Sequence, residues 1–142
     1  MPMLEVTQAA PMAASLEQKR AFAKEAIEIF SEILNTPDGR LRLFFYQLNW
    51  DSCLPGLIPS NHIDNDRGMI FLKVTMMVGR TVEQKTRLME RLTEAAHRHL
   101  NEPREDVRVI IYDIPPTDWS VGGVPLTHRT TNPPPTRARK PR

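Results

Sequence analysis

Two residues of this chain have types and settings that could carry chemistry: Pro2, directly behind the initiator methionine, and Arg80, in the run Gly79-Arg80-Thr81. A small second residue ordinarily permits removal of the methionine, which would leave Pro2 as a secondary amine at the chain end. When neutral, that nitrogen can take a proton from carbon or attack a carbonyl to give an iminium. An α-amino group ordinarily titrates near ~7.7–8.0, and burial or neighbouring cations push it lower, so a useful neutral fraction is expected at physiological pH. Arg80 stands just before a helix start. Free N–H groups and the positive dipole end attract anions there, and a guanidinium can hold a carboxylate through two hydrogen bonds.

The elements that must position these residues come as an internal repeat. Residues 15–48 laid over 81–114, an offset of 66, give nine identities in 34 ungapped positions, among them Glu17/Glu83, Gln18/Gln84, Lys19/Lys85, Pro37/Pro103 and Arg42/Arg108. Ser15 with Gln18, and Thr81 with Gln84, fit the capping box that opens a helix. The stripe Phe22, Ala26, Ile29, Phe30, Ile33 and its counterpart Leu88, Leu92, Ala95, Ala96, His99 recur at helical spacing and predict two helices with one buried face. Pro37 and Pro103 are expected to stop them. The apolar runs Leu41–Leu48 and Val107–Ile114 read as strands, and Met3–Thr7 and Ile70–Val78 as the strands ahead of each helix. Each copy is therefore a β-α-β unit with parallel pairing. Two units predict an α/β (α+β) fold, a four-stranded sheet with both helices on one face. The other face is too apolar to be left in water, which predicts a homo-oligomer.

Composition bounds the organisation. At 142 residues, with 40% hydrophobic and 25% charged residues, the chain is expected to form a single domain over 1–126. Repeat 1 covers about 2–50, a Pro- and Gly-rich connecting loop 49–68, and repeat 2 about 69–123. Residues 127–142 read as a disordered, basic, Pro-rich tail. The formal charge of +2 comes from that tail: five Lys/Arg and no acid lie between Arg129 and Arg142, leaving 14 basic against 17 acidic residues elsewhere. Nucleic acid is not an expected partner. With no membrane span, no signal peptide and a single cysteine, Cys53, the expectation is a cytoplasmic protein without membrane association.

Departures from the repeat are informative, because the shared scaffold does not explain them. At the offset of 66, Pro2 maps to Gly68 and Arg80 maps to Ala14, so each copy holds one residue that the other lacks. This asymmetry predicts one composite site drawn from both halves.

The ordered set of Pro2 at the first strand, Gly79-Arg80-Thr81 followed by Glu83-Gln84-Lys85, Val107-Arg108-Val109-Ile110-Ile111, and Asp118-Trp119-Ser120-Val121-Gly122-Gly123 resembles the tautomerase superfamily over roughly Pro2 to Gly123. The resemblance implies a fused pair of β-α-β blocks, a homotrimer, no cofactor, and N-terminal proline chemistry on small carboxylated keto or enol substrates. Within the superfamily the chain looks most similar to the malonate semialdehyde decarboxylase branch, which implies roles for Asp38 and for the Asp118-Trp119-Ser120 segment. On this reading Pro2, Arg80 and Asp38 are catalytic: Pro2 as general base, Arg80 on the carboxylate, Asp38 polarising water or substrate. Arg108 and Trp119 bind substrate. That branch carries a pair of arginines two apart before the second helix, and here Val78 stands in place of the first. Its clamp is incomplete unless Arg40, Arg42, Arg67 or Arg108 replaces it.

Other signals are weaker. His97 and His99 point to different sides of a helix, and His62-Ile63-Asp64-Asn65-Asp66 lacks the downstream Gly and Glu of a calcium loop, so no metal is expected. Two alternatives to a tautomerase stay open: a decarboxylase using the same proline, and a non-catalytic oligomeric ligand-binding protein of the same fold.

Overall fold

The computed structural model describes residues 2–9, 13–48 and 69–128. Strand β1 (Met3–Ala9), helix α1 (Leu16–Leu34) and strand β2 (Arg42–Leu48) form the first unit. Strand β3 (Met69–Met77), helix α2 (Val82–Leu100) and strand β4 (Val107–Ile114) form the second. A 3-10 turn at Arg104–Asp106 precedes β4, and a small hairpin of β5 (Ser120–Val121) and β6 (Val124–Pro125) follows it. The chain then makes a last 3-10 turn, Leu126–His128, so Thr127 and His128, assigned above to the tail, still belong to the fold. The loop 49–68 with Cys53, Arg67 and Gly68, and the segment 129–142, lie outside the described residues.

Both capping boxes form. The Ser15 and Thr81 N–H groups donate to the side-chain oxygens of Gln18 and Gln84 at 2.8 and 3.0 Å, and the glutamine N–H groups return the bond to the hydroxyls at 3.1 Å. The helix ends differ from expectation. Each stops two residues before its proline, where Asn35 (φ 52°) and Asn101 (φ 57°) turn into the left-handed conformation. Asparagine tolerates that conformation and frees the chain to leave the helix. The prolines come too late to be the stop.

The sheet runs β2-β1-β3-β4, with β1 parallel to β2, β3 parallel to β4, and the two units joined through antiparallel β1 and β3. On one face Leu4, Val6, Ile70, Leu72 and Val74 meet Phe22, Ile29, Phe30, Leu88 and Leu92, all fully buried. Each such side chain contributes ~1.5–3 kcal/mol. His99 takes the edge of the predicted stripe. It is half-buried at the rim, its Nε2 2.6 Å from Glu25 Oε2, and Leu100 takes the last buried place. Burial works against the Glu25 carboxylate, but hydrogen bonds from Arg98 and His99 outweigh it and hold its carboxyl below the usual range.

Register corrects the repeat alignment. Met3 pairs with Arg42, whereas it is Phe71 that pairs with Arg108. Since Arg42 and Arg108 are equivalent, Met3 corresponds to Phe71 and Pro2 to Ile70, not to Gly68. The link between β1 and α1 is two residues longer than that between β3 and α2, and an ungapped comparison hides the shift.

The second face of the sheet carries Phe44, Tyr46, Phe71, Ile110 and Tyr112, each 40–48% exposed in the single chain. Glu5 and Lys73 form an ion pair of 2.8 Å at its centre, with the Lys73 ammonium 5.8 Å from the centroid of the Tyr112 ring. An apolar face of this breadth is what a subunit interface looks like before assembly.

Candidate active site

Pro2 opens onto a cleft of about 230 Å³ at one end of the sheet. That is below the ~300–1,000 Å³ of pockets for drug-sized ligands, so it suits a small molecule. The proline carbonyl accepts a hydrogen bond from the Arg42 N–H at 3.1 Å. This pins the residue to β2 by its carbonyl and leaves its nitrogen outside the ladder.

The last turn of α1 and its cap form one wall, through Leu34, Asn35 and Thr36. The turn that follows adds Pro37 and Arg40, and Arg80 closes the opposite side from the start of α2. Gly79 sits at φ 111°, a conformation L side chains rarely adopt, and it turns the chain from β3 into Arg80. The two helical walls are tied together: besides capping α2, Gln84 donates from Nε2 to the Ile33 carbonyl at 3.1 Å. Among the described residues two arginines and no acidic residue line the cleft, a lining whose charge suits an anion.

The cleft therefore brings Pro2 and Arg80 together, as the asymmetry of the repeat suggested. It does not include the other three sequence candidates. Asp38 is exposed in the turn between Pro37 and Arg40 and does not line the cleft. Arg108 lies on the open face beside Phe71, which pairs in turn with Thr7. Thr7 is five residues along β1 from Pro2, roughly 16 Å at ~3.3 Å per residue. The Arg108 guanidinium donates to the Glu105 carbonyl, three residues back, as that of Arg42 donates to the Gly39 carbonyl. The shared tie marks both as parts of the duplicated scaffold. Trp119 is half-buried at the C-terminal hairpin, where its carbonyl accepts from the Leu126 N–H at 2.9 Å.

Arg40 is the residue that sequence reasoning underrated, since it entered only as one of four replacements for a missing clamp arginine. The signal was in the repeat. Asp106 stands at the matching position of the second copy, a reversal of charge. Neither Arg40 nor Arg80 has a side-chain hydrogen-bond partner among the described residues, and no cluster of three or more metal-ligating side chains occurs among them. None of the described helices is long and apolar enough to cross a membrane.

Comparison with known proteins divides the chain at the same place as the repeat. A family model described as Tautomerase-like matches residues 2–46, and one described as Tautomerase enzyme matches residues 71–129. A probable tautomerase of Ralstonia nicotianae is 49% identical over 57 residues, covering 40% of this chain and 81% of that protein. A 2-hydroxymuconate tautomerase of Comamonas testosteroni is 38% identical over 56 residues, 39% of this chain and 89% of the relative. These relatives are thus about one repeat long. Among solved structures, a fused 4-OT described as a wild-type asymmetric trimer superposes with a TM-score of 0.73 at 26% identity, covering 88% of this chain and 96% of its own. A malonate semialdehyde decarboxylase inhibited by 3-bromopropiolate shares the fold, with a TM-score of 0.64 at 22% identity over 84% and 88% of the two chains.

Proposed function

Because the chain belongs to the tautomerase superfamily, we propose that it interconverts keto and enol forms of small carboxylated carbonyl compounds, with the Pro2 amine, exposed by loss of Met1, as the general base. The observation that supports this most directly is that Pro2 and Arg80 line one small cleft that, among the described residues, carries cations and no acid. Arg80 would hold the substrate carboxylate. The Pro2 nitrogen would take the proton of the enol hydroxyl, and the resulting ammonium would return a proton to carbon. No redox change or cofactor is required. The neighbouring guanidinium charges disfavour the protonated amine, so the base is available near neutral pH.

Asp38, Arg108 and Trp119 keep subsidiary roles in this proposal. Asp38 is one residue from the lining set and could orient water at the cleft mouth. Arg108 would reach a cleft only from a neighbouring copy, across the open face that the trimeric relatives suggest is an interface. The same Pro2 site could serve a decarboxylase of the malonate semialdehyde type, a reading favoured by the second guanidinium that Arg40 brings to the cleft. Release of carbon dioxide from malonate semialdehyde separates the two activities.

Intact-mass measurement and turnover of 2-hydroxymuconate and phenylenolpyruvate test the proposal together. The expected results are a mass lacking Met1 and turnover that Pro2→Ala removes. Retained Met1, or a Pro2→Ala variant with unaffected turnover, would overturn the Pro2 mechanism, and absence of turnover in the wild type would leave a ligand-binding protein of the same fold.

A further inference from the structure

Arg80 stands between two backbone anchors. On the strand side the Val78 N–H donates to the Ile114 carbonyl at 3.2 Å, and on the helix side the Thr81 N–H donates to Gln84 Oε1 at 3.0 Å. Only Gly79, at φ 111°, and Arg80 itself span the gap, so the direction in which Arg80 leaves the backbone depends on the helix-side anchor. Gln84 ties that anchor to the opposite wall. While its Oε1 caps α2, its Nε2 donates to the carbonyl of Ile33, the residue just ahead of the cleft-lining Leu34, Asn35 and Thr36. The bond has a local cause. An α-helical partner for that carbonyl would be the N–H of residue 37, and Pro37 has none. A carbonyl left over at the end of α1 thus takes its donor from the start of α2, and one carboxamide joins both walls of the cleft. Gln18 forms the same capping box at the start of α1 but makes no cross-helix bond among the described residues, and Ala14 stands there in place of Arg80.

We infer that Gln84 is a positioning residue for the reaction: its carboxamide sets Arg80 at a fixed distance from the α1 wall, so that the guanidinium meets a substrate carboxylate lying beside Pro2. This rests on the carboxylate-holding role of Arg80 proposed above. Loss of the bridge then weakens substrate binding, and does so only through Arg80.

The test compares the full-length wild type with Gln84→Glu, Gln84→Met, Gln18→Met, Arg80→Ala and the double variant Arg80→Ala/Gln84→Met on 2-hydroxymuconate. Gln84→Glu keeps an oxygen to cap α2 and loses the donor to Ile33; Gln84→Met loses both. Each should raise KM by about 5- to 50-fold, in the range expected for an anchor displaced by a fraction of an ångström, with kcat within about twofold of the wild type. Gln18→Met, which loses a cap and no bridge, should leave both constants unchanged. In the Arg80→Ala background Gln84→Met should raise KM by less than about twofold further, whereas a merely structural glutamine would give its full loss with or without Arg80. A full loss in the double variant, an equal loss in Gln18→Met, or an unchanged KM in both single Gln84 variants overturns the inference while leaving the role of Arg80 intact. An unchanged KM in Arg80→Ala overturns that role, and the inference with it. If the wild type shows no turnover, nitrogen-15 relaxation decides: the backbone order parameter of Arg80 should fall from about 0.85, the rigid value, toward about 0.6 in Gln84→Glu and hold in Gln18→Met. Equal order in the wild type and Gln84→Glu overturns the inference.

Discussion

The two ends of the sheet are built from the same repeat and have opposite chemistry. At the first, Pro2, Thr36, Arg40 and Arg80 surround a cleft. Register and the repeat match them to Ile70, Glu102, Asp106 and Ala14 at the second. Ile70 is fully buried, and Glu102, only 3% exposed, accepts from Gln8 at 2.7 Å. Gln8 itself stands where the second unit has the buried Met76. Cations and Pro2 at one site are thus replaced by carboxylates and core packing at the other. Once a β-α-β unit is fused to its copy, the junction removes one free N-terminus, and the end that loses it can turn from binding to stability.

Experiments that break this comparison should show effects in a definite order. Pro2→Ala should be the most damaging to turnover, lowering kcat/KM by about 10²–10⁴-fold, the usual worth of a positioned base. Its folding stability should stay near that of the wild type. Arg80→Ala comes next, with a loss of about 10- to 100-fold from one charged hydrogen-bonding anchor, expressed mainly in KM. Arg80→Lys should recover only part of it, because a point charge does not reproduce two parallel bonds.

At the second end the expected effect is on stability. Burial raises the Glu102 carboxyl above its ordinary 4.5, with the Gln8 bond opposing and Asp106 adding to the shift. Its Oε2 is buried without a hydrogen-bond partner among the described residues. The folded chain therefore keeps a proton that the unfolded chain releases above pH 4.5; the stabilisation is complete below that pH and is lost as pH rises through the raised folded value. Glu102→Gln should flatten this dependence. Thermal unfolding should show a gain of about 1 kcal/mol at pH 8 and none at pH 4. The smallest effect belongs to a graft: Ala14→Arg with Asp106→Arg should restore positive charge to the second end yet add no turnover to a Pro2→Ala background, since Ile70 offers no free amine.

Much of this was legible before any coordinates. The capping glutamines, the buried stripe of α1 and all four long strands follow from local chemistry and periodicity, and the pairing of Pro2 with Arg80 from comparing one half with the other. What escaped the sequence depends on three-dimensional context. A two-residue insertion before α1 shifts the first strand against its copy, which only strand register reveals. Asn35 and Asn101 were visible as a repeated pair, but a proline two residues on is the louder signal. Asp38 and Arg40 straddle Gly39 in one turn, and only the left-handed glycine decides which of them lines the cleft. Nothing local to residues 35–41 says that the start of α2 closes the other wall; that proximity comes from β1 and β3 lying side by side.

The bond from the Arg42 N–H to the Pro2 carbonyl has a practical corollary. Chain ends usually fray, yet in the proposed form without Met1 the carbonyl of the leading residue would be fastened to β2, so its nitrogen would keep a fixed bearing on the cleft. Any residue left in front of it would convert that nitrogen into a non-basic tertiary amide and push new atoms into the cleft beside Arg40 and Arg80. An affinity tag for purification therefore belongs at the other end of the chain, and on the proposed mechanism a preparation tagged in front of Pro2 should show no turnover.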